Sequence, residues 1–201
     1  MAEVLLFHHA MGLTPGCLAF ADDLRAAGHV VHTPDLFEGK TFTNVSDGVN
    51  HAEEIGFDTV IERGEDAAAA LPTDLVYAGF SLGVLPAQKL AQTRAGARGA
   101  LLFHSAIPVS EFGGSWPDGV PLQIHIMESD PWAAEGDLDA AREMASTIDG
   151  AELFLYPGSG HLFADSGTSD YDARAAALLR ERALGFLGRI DQPRDAGAGS
   201  D

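Results

Sequence analysis

A chain of 201 residues, 46% of them hydrophobic, is long enough to bury a sizeable core within one domain. Thirty acidic against twelve basic residues give a formal net charge of −18, which repels nucleic acid and anionic membranes and argues against both as partners. The one cysteine, Cys17, excludes an internal disulfide and fits a reducing, cytoplasmic compartment.

Met1-Ala2-Glu3 runs straight into the apolar stretch Val4–His8, with no basic region and no signal-length apolar core, and no later run is long enough to span a bilayer. Val4–His8 reads as the first strand, and Gly16–Ala27 as a helix in which Cys17 is buried. His29–Thr33 is the second strand. The mixed polarity of Lys40–Gly56, with its weak helical pattern, suggests a mobile cover over a site. Phe57–Leu71 is helical, its alanines 67–70 acting as strong helix formers. The remaining strands are Leu75–Phe80, Ala100–His104, Leu122–Met127 and Glu152–Tyr156. The helices between and after them are Leu82–Thr93, Leu138–Ile148 and Asp172–Ile190. Most strands are continuously apolar, as expected of parallel strands covered on both faces. The β-α-β alternation predicts an α/β fold, a three-layer sandwich of about six mainly parallel strands over residues 1–190. The tail 191–201, of Pro, Gly, Ala and acidic residues, reads as disordered.

In such a sheet right-handed crossovers bring every strand's C-terminal end to one edge, where ligands bind. Three chemically apt residues fall just past strand ends. Gly79-Phe80-Ser81-Leu82-Gly83 is a nucleophile elbow, a sharp strand-to-helix turn that exposes the Ser81 hydroxyl. A serine hydroxyl needs a base, and in this arrangement the chain order is Ser, acid, His. Asp130, in Glu128-Ser129-Asp130-Pro131, and His161, in Gly158-Ser159-Gly160-His161, supply that order. His161 is the expected general base and Asp130 the group that orients it, with Glu128 the rival acid. The backbone N–H groups of Leu82 and Ala10 are the expected oxyanion donors. Adjacent His8 and His9 point to opposite sides, which argues against one metal between them; one packs, and His9 and Met11 are candidates to line the pocket. His104 and His125 are read as strand residues. No metal site and no cofactor are expected.

The chain resembles the dienelactone hydrolase family of α/β-hydrolases. The likeness is carried by Thr33-Pro34-Asp35-Leu36-Phe37-Glu38-Gly39-Lys40, the elbow at Ser81, Glu128-Ser129-Asp130-Pro131, Tyr156-Pro157-Gly158-Ser159-Gly160-His161-Leu162-Phe163-Ala164 and Asp170-Tyr171-Asp172-Ala173. It implies a hydrolase acting through Ser81, Asp130 and His161 on a small-molecule ester, lactone or thioester, as a monomer or homodimer. The fold's usual N-terminal antiparallel hairpin is not expected, because the chain begins at the strand that is usually third. Three positions depart from the family's pattern: Ser81 stands where a cysteine is usual, His9 where a glutamate is, and Asp165 where an arginine that grips a substrate carboxylate is. A carboxylate at 165 is expected to repel an anionic lactone. The competing readings are a non-catalytic α/β-hydrolase-fold binding or regulatory protein and, on the weak Gly158-Ser159-Gly160 signal, a nucleotide-binding domain.

Overall fold

The computed structural model describes residues 1–134 and 136–191, so the tail beyond Asp191 lies outside the described residues. Its six strands, β1 (Glu3–Phe7), β2 (Val30–His32), β3 (Val76–Phe80), β4 (Gly99–Phe103), β5 (Leu122–Met127) and β6 (Ala151–Tyr156), each fall within one residue of the expected ranges. They form one sheet in the order β2-β1-β3-β4-β5-β6, with every pairing parallel. The helices are α1 (Pro15–Ala26), α2 (Val45–Ile55), α3 (Phe57–Ala69), α4 (Val84–Thr93), α5 (Asp137–Thr147) and α6 (Ala173–Ile190). The chain is an α/β-hydrolase fold.

Alternation along the strands divides the core into two layers. Val4, Leu6, Ala78, Phe80 and Phe103 face α1 and α6, against Phe20, Leu24, Leu179 and Phe186. Leu5, Phe7, Tyr77, Leu102 and Ile124 face α2 to α5, against Ala52, Val60, Leu90 and Met144. Each of the larger apolar side chains contributes about 1.5–3 kcal/mol through burial, so the sheet forms a stiff base for the loops at its edge. Thr14 caps α1 by accepting the Cys17 N–H, and Asp172 caps α6 by accepting the N–H groups of Arg174 and Ala175. Cys17 is buried in α1, as expected. No helix among the described residues is long and apolar enough to cross a membrane.

The segment 40–56 contains a helix packed against the loop after β1. Residues Val45–Ile55 form a regular helix capped by Asn44, whose side chain accepts the Asp47 N–H. Gly48 backs directly onto the Ala10 carbonyl, and a Cβ there would stand 1.9 Å from that oxygen. His51 and Ala52 are buried on the same face, and His51 meets Phe37 edge-on with ring centres 5.0 Å apart. The packing face is made of Gly, His and Ala rather than large apolar side chains.

Sheet growth reverses at β1, which has β2 on one side and β3 on the other. The loops leaving β1 and β3 therefore flank the crevice where ligands enter such sheets. The register Phe7↔Gly79 brings the loop of His8 to Gly12 beside Ser81.

Candidate active site

Strand β3 passes at Ser81 into a short 3-10 turn, Ser81–Gly83, which continues into α4. Ser81 has φ 49°, the left-handed region that L-residues enter at a cost of about 1–2 kcal/mol. Two glycines make the bend possible. A Cβ on Gly79 would lie 2.2 Å from the Gly83 carbonyl oxygen, and one on Gly83 would lie 2.6 Å from the carbonyl oxygens of Phe7 and His8. The elbow is thus wedged against β1 with backbone on backbone.

The three residues expected from chain order meet. The Ser81 Oγ lies 2.7 Å from His161 Nε2, and His161 Nδ1 lies 2.7 Å from Asp130 Oδ2. With Nδ1–H donating to the carboxylate, Nε2 keeps its lone pair and accepts the Ser81 hydroxyl. Asp130 is buried, and its other oxygen accepts the Trp132 N–H at 2.9 Å. Glu128 is exposed beyond the end of β5 and takes no part. A support missed in the sequence is Asp170, whose carboxylate accepts the backbone N–H groups of His161 (3.0 Å) and Leu162 (3.3 Å). It holds the loop that carries the imidazole, and only its position in a polar turn hinted at this. Trp132, 45% exposed, flanks the outer side of His161 with ring centres 5.9 Å apart.

The turn after β1 presents Ala10. The two N–H groups that follow it are engaged: Gly12 donates to the His9 carbonyl at 3.0 Å and Met11 to His9 Nδ1 at 3.2 Å. The Met11 carbonyl accepts from Phe42. The Ala10 N–H meets no acceptor among the described residues. Leu82 stands at a helix start, where the first N–H groups have no intrahelical partner. Both expected donors thus lie on the two loops that flank the crevice.

His8 and His9 do turn to opposite sides. His8 donates through Nδ1 to the His9 carbonyl (2.8 Å) and accepts the Leu36 N–H at Nε2 (2.9 Å), beside Phe37. Burial holds its pKa down, to about 4, so it is neutral. His9 and Met11, the candidates to line the pocket, are both buried. His9 Nε2 instead meets Asp165 Oδ2 at 2.7 Å. Asp165 also accepts the Thr14 hydroxyl (2.6 Å) and the Gly167 N–H (2.6 Å). The Cys17 S–H faces it from 3.9 Å. Burial alone would raise the Asp165 pKa, but the hydrogen bonds from His9, Thr14 and Gly167 bring it below the usual value. For His9, burial disfavours a charge while Cys17 and Asp165 pull the other way, pushing its pKa upward. The Met11 N–H opposes that charge, since it needs a lone pair at Nδ1. Neutral His9 beside ionised Asp165 is the state in which every donor has an acceptor.

The expected repulsion of an anionic substrate by Asp165 loses its basis here, because the carboxylate is 3% exposed and fully engaged. His9, Cys17 and Asp165 lie close enough together to suggest a metal-ligand set. Their spacing is that of hydrogen bonds: ligands at about 2.0–2.3 Å around a tetrahedral zinc stand roughly 3.3–3.8 Å apart, beyond the Nε2 to Oδ2 distance.

His125 lies within β5 as expected, bonded to the Tyr156 hydroxyl (2.8 Å). His104 corrects the sequence reading. It follows β4 rather than lying in it, has φ 72°, and is buried between Phe80, Phe163 and His161. Among the described residues neither ring nitrogen has a hydrogen-bond partner, and burial holds its pKa well below the usual value. It forms an uncharged floor beneath His161.

No curated protein matches the chain in sequence. Among solved structures, a dienelactone hydrolase-like promiscuous phosphotriesterase, P91, from metagenomic libraries is similar at TM-score 0.72 and 18% identity, over 94% of this chain and 87% of that one. A dienelactone hydrolase from Anabaena variabilis is similar at TM-score 0.65 and 15% identity, over 94% and 86%. TT1662 from Thermus thermophilus is similar at TM-score 0.63 and 18% identity, over 96% and 90%. These likenesses bear on the fold. The model of the dienelactone hydrolase family matches residues 1–191, and the chain therefore belongs to that family, as a hydrolase of ester-type bonds.

Proposed function

We propose that the protein hydrolyses a small ester, lactone or thioester through an acyl-enzyme on Ser81. The observation that carries this reading is the unbroken chain from Ser81 Oγ to His161 Nε2 and from His161 Nδ1 to Asp130, at 2.7 Å for each contact. As Oγ attacks the substrate carbonyl carbon, its proton passes to Nε2, and Asp130 stabilises the resulting imidazolium. The carbonyl oxygen becomes an oxyanion that accepts the N–H groups of Leu82 and Ala10, each worth about 3–4 kcal/mol in the transition state. The tetrahedral intermediate collapses, the carbonyl–heteroatom bond breaks, and Nε2–H protonates the departing alkoxide or thiolate. A water that gives its proton to Nε2 then attacks the acyl carbon, releasing the acid and restoring Ser81. The three side chains and two amides supply all of this chemistry without a cofactor. A small neutral substrate in a reducing cytoplasm suits the acidic surface and the single buried cysteine.

A fluorophosphonate probe should label Ser81, and hydrolysis of short p-nitrophenyl esters should vanish in Ser81→Ala and His161→Ala. A folded protein whose Ser81 is inert to the probe would favour a non-catalytic role.

A further inference from the structure

We propose that His9 is a positioning residue that holds the turn after β1 by accepting the Met11 N–H, with Asp165 fixing the tautomer that leaves Nδ1 free to do so, so that the Ala10 N–H faces the oxyanion formed at Ser81. The inference rests on the Ser81 mechanism above.

Three observations carry it. First, His9 is bonded at both ring nitrogens, and the two bonds run to different loops. Nδ1 accepts the N–H of Met11, the neighbour of Ala10, and Nε2 reaches Asp165, four residues beyond His161 in sequence. Asp165 in turn is tied to its own loop, where its backbone N–H reaches the Leu162 carbonyl at 3.0 Å and its side chain accepts the Gly167 N–H. The oxyanion loop and the histidine loop are therefore fixed to each other through one imidazole.

Second, the surroundings are shaped to admit this pair. Gly16, in the first turn of α1, has no side chain where Asp165 Oδ1 lies; a Cβ there would stand 1.7 Å from that oxygen. The Thr14 hydroxyl accepts the Cys17 N–H while donating to Asp165, so the carboxylate is anchored to the positive end of a twelve-residue helix.

Third, the N–H groups that follow Ala10 in the turn are engaged while its own is not. Contacts to His9 occupy Met11 and Gly12, the His8 ring pins the His9 carbonyl, and Gly48 backs the Ala10 carbonyl. The Ala10 N–H keeps its donor to offer. A buried ionised group is poor value as a source of stability, since an apolar replacement of similar volume is often as stable. Its return here is orientation.

Two near-isosteric substitutions separate the two halves of the clamp. An asparagine oxygen can stand where Nδ1 does, so His9→Asn keeps an acceptor for Met11 and drops Asp165. A glutamine amide nitrogen can stand where Nε2 does, so His9→Gln keeps Asp165 and drops Met11. On an ester whose turnover is lost in Ser81→Ala, His9→Ala and His9→Gln should lower kcat by about 10²-fold with KM unchanged, as loss of a transition-state contact does. Their affinity for a trifluoromethyl ketone, which presents an oxyanion, should fall by a similar factor. His9→Asn should recover most of both losses, although its thermal midpoint falls as far as that of His9→Gln. Asp165→Ala should lie between. Equal kcat in His9→Asn and His9→Gln, or kcat that follows thermal stability across the set, would overturn the proposal. Amide exchange at Met11 reads the clamp without turnover: slow in the parent and His9→Asn, fast in His9→Gln. Unchanged exchange in His9→Gln overturns the clamp, whereas an active Ser81→Ala overturns the hydrolytic mechanism instead.

Discussion

The side chain that Gly83 lacks is the space that the His8 carbonyl oxygen occupies, since a Cβ on Gly83 would stand 2.6 Å from it. The elbow that carries Ser81 and the loop that carries Ala10 are therefore packed through bare backbone. Neither surface can yield as the end of a flexible side chain would. Gly83→Ala should cost at least about 3 kcal/mol of stability and displace both loops together. Gly79→Ala should be comparable, because its clash, 2.2 Å, is also with a backbone oxygen. Urea unfolding of the two variants beside a surface control such as Gly185→Ala, where nothing lies within 4 Å, measures the difference.

Ser81 holds a left-handed φ of 49° to present its hydroxyl. Both Ser81→Ala and Ser81→Gly should be inactive, but they should part in stability. Glycine is ordinarily less stable than alanine in regular structure by about 0.5–1 kcal/mol. At this position it should be the more stable of the two by about 1 kcal/mol, because it alone adopts the bend without strain. Thermal denaturation of the pair settles the sign, and the opposite order would mean that the bend stores no strain.

Much of this site was legible because its logic is topological. A parallel sheet sends every strand end to one edge, so Ser81, Asp130 and His161 could be grouped from their places after three strands alone. The glycines at 79 and 83 added a packing reason. What stayed hidden depends on contacts between distant loops. Nothing in the sequence says that Asp165 turns inward to His9 across 156 residues, so it read as a charge facing the substrate and His9 as a pocket wall. His104 read as a strand residue because β4 starts and ends one residue earlier than its apolar run suggests. Helix α2 was read as a weak pattern because its buried face is Gly48, His51 and Ala52 rather than a row of large apolar side chains.

The choice of acid is open to a direct comparison. Asp130 is buried against His161 Nδ1, and Glu128, two residues earlier, is exposed. Asp130→Asn should lower kcat by about 10³–10⁴-fold, since an amide neither fixes the tautomer that leaves a lone pair on Nε2 nor stabilises the imidazolium. Glu128→Gln should leave ester hydrolysis unchanged. A large loss in Glu128→Gln with a small one in Asp130→Asn would reassign the acid.

Acid should destabilise the protein well before its carboxylates protonate. His8 and His125 are buried, bonded as neutral rings, and held by that burial at pKa values of about 4 and about 3. In the unfolded chain each titrates near the ordinary value of about 6.5. Between those limits the unfolded state binds more protons, so stability is full above pH 6.5 and falls as the pH drops. For His8 alone the loss between pH 6.5 and 4 is on the order of 3 kcal/mol, at about 1.4 kcal/mol per pH unit. Asp165 acts in the same direction at lower pH, because its hydrogen bonds from His9, Thr14 and Gly167 hold it below the unfolded value. The −18 net charge works the other way, since acid relieves self-repulsion, so the measurement belongs in salt that screens it. Urea midpoints at pH 7.5, 6, 5 and 4 should fall steadily with pH, and the fall should be shallower in a His125→Phe variant. A flat profile down to pH 4.5 would mean that these imidazoles charge without leaving the core.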